Sequence, residues 1–218
     1  MGTFGGPDVV TDGIVLIQDA ASARSYPGSG TVWKDLSGNN LNASLSQEAM
    51  ATTTPGEMIL NKTTYTMSYG NGTNALLKPP SITVAAWINL DDISDRHILI
   101  TKWLGFSFEI GADGKPYFRL NNVGDATSSE AIDWGSWYYI VGTFDDSSKR
   151  HNVYINGVNR ASEIQSSSIV TDNGSFNIPY LNDPVYAKGK IATVSIYNRE
   201  LTSAEQLQNY NAQKNRYT

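Results

Sequence analysis

The sequence contains no cysteine, and it has few basic residues. The first absence excludes a disulfide framework, a Cys-ligated zinc site and a thiol nucleophile. Lys and Arg number 16 against 21 Asp and Glu, for a formal net charge of −5, and no more than two basic residues are adjacent. Because nucleic-acid-binding proteins usually carry a basic stripe, neither nucleic acid nor an anionic membrane surface is expected as a partner.

Long hydrophobic runs are also missing. No segment approaches the ~20 consecutive apolar residues that a membrane-spanning helix needs. The first residues, MGTFGGPDVVTDG, contain neither the basic region nor the apolar region of a signal peptide. We therefore expect a protein that is made in a cytoplasm and is not inserted into a membrane.

Short segments of alternating apolar and polar residues recur along the whole chain, bounded by Gly, Asn, Asp and Pro. Hydrophobic residues are 40% of the 218, enough for a sizeable core. Regularly spaced short strands with turn residues between them are typical of an all-β sandwich. No linker marks a domain boundary. The predicted strands include 13–17, 81–88, 97–101, 106–110, 116–120, 137–144, 152–155 and 191–197.

Two dipeptides predict β-hairpins. Asp113-Gly114 and Asn156-Gly157 each lie between apolar runs. Asn-Gly best tolerates the positive φ that a type I′ turn requires at both central residues, and Asp-Gly is also common there. Tight hairpins at these two places fit an antiparallel sandwich.

A capping box predicts one helix near the C-terminal end. In Thr202–Glu205, the Thr hydroxyl can accept a hydrogen bond from the Glu amide while the Glu side chain bonds back to the Thr amide. We expect a short helix against the edge of the sandwich. Residues at helical spacing predict that its narrow apolar stripe consists of Ala204, Leu207 and Tyr210, or Ala212 in place of the last.

Three motifs follow one another near the start of the chain. They are Asp19-Ala20-Ala21, Ser25-Tyr26-Pro27-Gly28-Ser29-Gly30 and Trp33-Lys34-Asp35-Leu36-Ser37-Gly38-Asn39. With them the chain resembles laminin-G-like, concanavalin A-like jelly-roll domains of the kind found in bacteriophage virion proteins. The resemblance continues in order through nearly the whole chain, at residues 83–88, 137–145, 153–157, 188–191 and 196–202.

The resemblance implies an all-β, two-sheet antiparallel jelly-roll sandwich of the concanavalin A-like lectin/glucanase type, with a short C-terminal helix. Residues 11–218 would form a single laminin-G-like domain. Residues 1–10 have three Gly, one Pro and no core pattern, and we expect an N-terminal arm that orders against a neighbouring subunit. The same fold carries many functions, so it does not define an activity.

For function, the resemblance implies a structural, decoration or appendage protein on the head or tail of a phage particle. Its partners would be other virion proteins, cell-surface glycans and further copies of itself in a homo-oligomer. A virion protein is made in the host cytoplasm and needs no secretion signal. The alternative is a free-standing carbohydrate-binding lectin module.

Asp35 has two interpretations. In the first, its carboxylate accepts backbone N–H groups of the Ser37-Gly38 turn and holds the loop in place. In the second, implied by the resemblance, it is a ligand of a structural Ca²⁺ together with nearby carbonyls and an acidic residue on the last long strand. Ala192 and Thr193 stand where that acidic pair is common. One carboxylate fewer weakens a calcium site, so the turn is favoured and no other cofactor is expected.

Aromatic residues in loops are the candidates for glycan binding, because sugar C–H groups stack on exposed aromatic faces. Trp33, Trp87 and Trp137 lie in apolar strand patterns and are predicted to belong to the core. The glycan-binding candidates are Trp103 at a predicted hairpin tip, Trp134 in a predicted turn, and Tyr180 and Tyr186 on either side of the loop 181–184.

The carboxylates do not form a catalytic pattern. Glycoside hydrolases use two carboxylates that flank the scissile bond, and two on alternate positions of one strand would share a face. Glu109 is the one carboxylate within residues 106–110, whereas Glu130 and Asp133 are three apart in a predicted loop. There is no Gly-x-Ser-x-Gly elbow, and His97 and His151 have no nucleophile beside them. We expect a protein that is not an enzyme.

Overall fold

The computed structural model describes residues 7–47, 56–60, 66–70, 74–91, 95–170, 173–179 and 187–217. Within them, one α-helix, α1, spans Ser203–Gln213, and two short 3₁₀ helices span Ala75–Leu77 and Lys214–Arg216. The strands are β1 (Ile14–Asp19), β2 (Val32–Trp33), β3 (Ala43–Leu45), β4 (Met58–Leu60), β5 (Met67–Ser68), β6 (Ile82–Leu90), β7 (His97–Lys102), β8 (Phe106–Ile110), β9 (Pro116–Leu120), β10 (Gly124–Thr127), β11 (Trp137–Asp145), β12 (Arg150–Ile155), β13 (Val158–Ile164), β14 (Phe176–Ile178) and β15 (Gly189–Tyr197).

Two antiparallel sheets are built from these strands. The first sheet has the order β1-β15-β6-β11-β12-β13, and β4 also pairs with β15. The second sheet has the order β10-β9-β8-β7-β14-β5-β3-β2. The main core contains buried apolar side chains from both sheets, as in sandwiches whose inner faces interdigitate. The predicted all-β, two-sheet sandwich with a short C-terminal helix is confirmed.

Strand β6 shows how alternation buries both faces of the first sheet. Val84 and Ala86 lie in the main core. Trp87 points the other way, into a second apolar cluster on the outer face. There its ring lies 5.8 Å from that of Tyr210 in α1 and 4.4 Å from that of Tyr217 beyond it. The C-terminal segment therefore covers this outer face.

The predicted capping box is present at the start of α1. Glu205 N donates to Thr202 Oγ1 at 3.3 Å, and Thr202 N donates to Glu205 Oε2 at 2.8 Å. These bonds satisfy two of the amides that a helix start leaves without partners.

In the described part of the chain, no helix has the length and apolar character to cross a membrane.

The predicted apolar stripe of α1 is right for Tyr210, which packs against the outer-face cluster, and wrong for Ala204 and Leu207, which are exposed. The helix also buries polar side chains, and two of them bond to polar groups beneath it. Asn209 donates to the hydroxyl of Tyr197 at 3.1 Å, and Thr193 donates to Gln213 Oε1 at 3.3 Å. The buried residues of the helix are Gln206, Asn209 and Gln213.

Residues 7–10 lie along the same helix. The amide of Val10 donates to Asn209 Oδ1 at 2.7 Å, and the Tyr197 hydroxyl donates to Val10 O at 3.0 Å. Gln208 Nε2 donates to the carbonyl of Asp8 at 2.7 Å. This part of the predicted N-terminal arm therefore bonds to its own chain, and residues 1–6 lie outside the described residues.

Both predicted hairpins are confirmed. Asn156 and Gly157 join β12 to β13 with φ values of 52° and 79°, as a type I′ turn requires. Asp113 and Gly114 lie in the turn that joins β8 to β9, where Gly114 has a φ of 75°.

The second sheet presents polar side chains on its outer face along β8 and β9. Phe108 and Phe118 belong to the main core. Since side chains alternate along a strand, Glu109, Tyr117 and Arg119 point away from the core. The register pairs Glu109 with Tyr117 across the two strands. The candidate site lies on this face.

Candidate functional site

A cleft of about 210 Å³ opens on the outer face of the second sheet. Strands β7, β8 and β9 line it together with the turn between β7 and β8. Its polar and charged lining includes Arg96, Ser107, Glu109 and Arg119, and Trp103 lies at its rim with Leu104 and Asn121. Apolar walls with a few fixed polar groups are typical of small-molecule sites.

Glu109 is the central polar residue of the cleft and is 1% exposed. Arg96 Nε and the Tyr117 hydroxyl both donate to its Oε2 at 2.5 Å. The Ser107 hydroxyl donates to Oε1, which also lies 3.7 Å from Arg119 NH1. A buried carboxylate is tolerated when it is paired and hydrogen-bonded in this way. Glu109 therefore fixes the positions of the donors around it.

The two arginines are only partly covered, with side chains 36% exposed for Arg96 and 42% for Arg119. Arg119 makes a two-bond fork to its cross-strand partner Asp125, with Nε at 3.0 Å and NH2 at 2.8 Å. The hydrogen bond to Asp125 raises the pKa of Arg119, and the hydrogen bond to Glu109 raises the pKa of Arg96. Both guanidinium groups therefore stay charged.

Trp103 lies on the turn between β7 and β8 and is 48% exposed. The turn is held on both sides, because Gly105 N donates to Lys102 O at 2.9 Å and Trp103 N donates to Ser175 O at 3.0 Å. Gly174 packs so closely that a Cβ there would lie 2.2 Å from Trp103 O. The backbone that carries the exposed indole is therefore tied to the neighbouring loop.

The predicted glycan-binding residues that the structure describes, Trp103 and Trp134, do not lie in one site. Trp103 lines the cleft. Trp134 is 61% exposed but belongs to a turn beside the end of β6, where Gly135 N donates to Leu90 O at 2.7 Å, and it does not line the cleft. Tyr180 and Tyr186 lie outside the described residues, so their role stays a prediction.

The predictions for the other tryptophans were largely right. Trp33 and Trp87 are fully buried, as expected for core residues. Trp137 is half-buried, with its ring 5.0 Å from that of Tyr217. It lies at the edge of the outer-face cluster rather than in the main core.

Sequence reasoning missed the polar cluster around Glu109. It treated Glu109 as a lone carboxylate and did not consider Arg96, Tyr117 or Arg119. A signal was present: polar residues occupy the alternate positions of β8 and β9, opposite the phenylalanines. Alternation alone shows that these residues face outward, but not which of them meet.

Asp35 makes the hydrogen bonds expected of the turn interpretation. Its Oδ1 accepts from Ser37 N at 2.8 Å and from Ile17 N at 3.2 Å. Its Oδ2 accepts from Leu41 N at 3.1 Å and from the Ser37 hydroxyl at 2.7 Å. The carboxylate thus joins β1 to both ends of the Ser-Gly-Asn turn.

This arrangement is a poor fit for a calcium ion at Asp35. Ca²⁺ takes six to eight oxygen ligands, whereas the oxygens of Asp35 face N–H and O–H donors. Among the described residues, no group of three or more His, Cys, Asp or Glu could hold a metal ion. Ala192, at the departure from the family pattern, is buried in the outer-face cluster.

The chain belongs to the concanavalin A-like lectin/glucanases superfamily. A laminin G family model of that description matches residues 63–205, well over half of the sequence. The expected laminin-G-like, concanavalin A-like domain is therefore confirmed. Among curated proteins, none matches the sequence.

Several solved structures share the fold. Trypanosoma rangeli sialidase, in a mutant displaying trans-sialidase activity, superimposes with a TM-score of 0.73 at 16% identity, over 98% of this chain and 35% of the sialidase chain. The binding domain of Paraclostridial Mosquitocidal Protein 1 gives a TM-score of 0.66 at 18% identity, over 93% of this chain and 52% of the other. A Bacteroides ovatus protein described as carbohydrate-binding gives 0.52 at 19%, over 60% and 41%.

These likenesses concern the fold alone, since identities are below one fifth. The chain spans about a third of the length of the sialidase chains it matches. A shared fold does not carry a shared activity.

Proposed function

We propose that this chain is a non-catalytic carbohydrate-binding domain whose sugar site is the cleft around Glu109. The observation that carries the proposal is the exposed indole of Trp103 at the rim of a cleft with fixed hydrogen-bonding groups. An aromatic face beside oriented donors suits a sugar, which has both C–H faces and hydroxyl groups. The lectin superfamily fold and the B. ovatus protein described as carbohydrate-binding support it.

The absence of catalysis is part of the proposal. In the described part of the cleft lining, Glu109 is the one carboxylate, whereas glycoside hydrolysis generally needs two. Its oxygens already accept from Arg96, Ser107 and Tyr117. Burial, and then the hydrogen bond to Glu109, raises the pKa of Tyr117, so its hydroxyl stays protonated near neutral pH. The cluster is suited to holding a ligand rather than to proton transfer.

A glycan array followed by calorimetric titration of the hits tests the proposed site. Trp103→Ala should weaken binding at least about tenfold, since that corresponds to the loss of about 1.4 kcal/mol and the indole is the aromatic surface on which the sugar would stack. Trp134→Ala is the matched control, because Trp134 is equally aromatic and more exposed but lies outside the cleft. It should bind like the wild type. Loss of binding in the control alone, or no hit for the wild type, would contradict the proposal.

We also propose that the domain works on a bacteriophage particle, as a structural, decoration or appendage protein of the head or tail that contacts other virion proteins. The support is the motif series in residues 19–39 and its resemblance to phage domains. Mass spectrometry of purified particles tests this: the chain should be present in a fixed ratio to the capsid protein. A chain found free in the lysate and not on particles would favour a free-standing lectin.

A further inference from the structure

The charged side chains in the cleft have the opposite sign to the protein as a whole. The chain carries a formal net charge of −5. Two guanidinium groups, those of Arg96 and Arg119, line the cleft against one carboxylate, Glu109, whereas the ammonium of the buried Lys102 donates to Gly174 O at 3.2 Å. A concave site lined by one sign of charge concentrates ligands of the other sign. The lining of the cleft is therefore biased towards an anion, and Asp125, which pairs with Arg119 at 2.8 Å, lies outside that lining.

The two arginines keep donors for a ligand after their internal bonds are counted. Arg96 reaches Glu109 through Nε, which leaves its two terminal nitrogens outside that bond. Arg119 uses Nε and NH2 on Asp125, and its NH1 lies 3.7 Å from Glu109. A guanidinium group presents its donors in a planar fork that matches a carboxylate. Both side chains are more than a third exposed.

Glu109 explains why these donors are fixed in place. Its buried carboxylate lies between the two guanidinium groups and contacts both. Two exposed arginines without such an anchor would lose side-chain entropy on binding a ligand. With it, the donors are organised in advance, and the hydroxyls of Ser107 and Tyr117 satisfy further acceptor positions of the carboxylate.

We infer that the ligand of this cleft is an acidic sugar, one that carries a carboxylate. The carboxylate binds Arg96 and Arg119, and the sugar ring stacks on Trp103. This inference rests on the proposed carbohydrate-binding function and names the class of sugar. Uronic acids and sialic acids have the required chemistry.

Matched pairs of probes separate the acidic group from the rest of the sugar. Trigalacturonic acid and sialyllactose are each titrated against their own carboxylate methyl ester, by calorimetry at low ionic strength. In whichever pair binds, the acid should bind at least about tenfold more tightly than its neutral partner, as expected for hydrogen bonds between charged groups. Raising the salt concentration should reduce this advantage.

Variants assign the preference to the two arginines. Arg96→Gln and Arg119→Gln should each remove most of the advantage of the acid while the neutral sugar binds as before. Arg150→Gln, a matched control on β12 of the first sheet, should change neither. Trp103→Ala should weaken both members of a pair. If either glutamine variant melts well below the wild type, the lysine variant at the same position, Arg96→Lys or Arg119→Lys, replaces it. Lysine keeps the positive charge but lacks the planar fork, so this variant should bind the acid with intermediate affinity.

The outcomes distinguish this inference from the function it rests on. Equal affinity for the acid and its neutral partner overturns the acidic-sugar inference and leaves a carbohydrate-binding cleft. An acid preference that survives both arginine substitutions also overturns it. If all four probes and a glycan array give no binding, the proposed function itself is wrong.

Discussion

Asp35→Ala tests the hydrogen-bonded turn that begins the domain. The substitution leaves the amides of Ile17, Ser37 and Leu41 without their acceptor. An unsatisfied, partly buried amide costs about 1 kcal/mol, so the free energy of unfolding should fall by about 3 kcal/mol. For a domain of this size that lowers the melting temperature by roughly 6–12 °C. Asp35→Asn keeps one acceptor oxygen, so its free energy of unfolding should lie between those of Asp35→Ala and the wild type.

The assay is thermal and urea unfolding, each with excess calcium and with a chelator. If Asp35 is a turn residue, the chelator leaves the wild-type midpoint unchanged and Asp35→Ala is less stable in both buffers. A ligand bound only by the folded state must raise the midpoint. A chelator-sensitive wild type whose sensitivity disappears in Asp35→Ala would therefore establish the calcium interpretation. An Asp35→Ala variant within about 0.5 kcal/mol of the wild type would refute the hydrogen-bond reasoning.

Three further substitutions test other parts of the structure. Burial lowers the pKa of His151 from 6.5 to about 4, so the unfolded state takes up a proton first as pH falls. Stability should drop by roughly 3 kcal/mol between pH 6.5 and 4, and urea unfolding of His151→Gln should show a shallower decline. In Gly174→Ala the added Cβ would clash with Trp103 O and push the two backbones apart. The free energy of unfolding should fall by ~1–3 kcal/mol, and sugar binding should weaken in titrations. Thr202→Ala removes the cap that Glu205 N bonds to and should lower stability by about 1 kcal/mol in thermal melts.

The fold could be predicted because its signals are local. Alternation along β6 and β8 defines which residues face the core, and Asn156-Gly157 defines a turn whatever surrounds it. The buried face of α1 could not be read this way. Its buried polar side chains bond to groups of β15, 12 and 20 residues away, and to Val10, 199 residues away, and the helical spacing does not show these partners.

The cleft could be predicted only in part, for the same reason. Trp103 was named as a candidate because a large aromatic residue at a hairpin tip is conspicuous in a sequence, and the structure places it at the cleft. Glu109 and Arg96 are 13 residues apart, and Glu109 and Tyr117 are 8 apart. They meet through the strand register, which includes an irregularity in β7 between Ile98 and Ile100. Alternation does not reveal such a shift, so the sequence alone does not predict the charged cluster.

The most direct test of the central claim is the indole N–H spectrum of the ¹⁵N-labelled protein during titration with a bound glycan. Five tryptophans give few signals, and Trp103→Phe assigns the relevant one. A sugar stacked in the cleft should shift the Trp103 signal and leave those of the buried Trp33 and Trp87 in place. A titration that shifts the Trp134 signal while that of Trp103 stays fixed would place the sugar elsewhere and contradict the account.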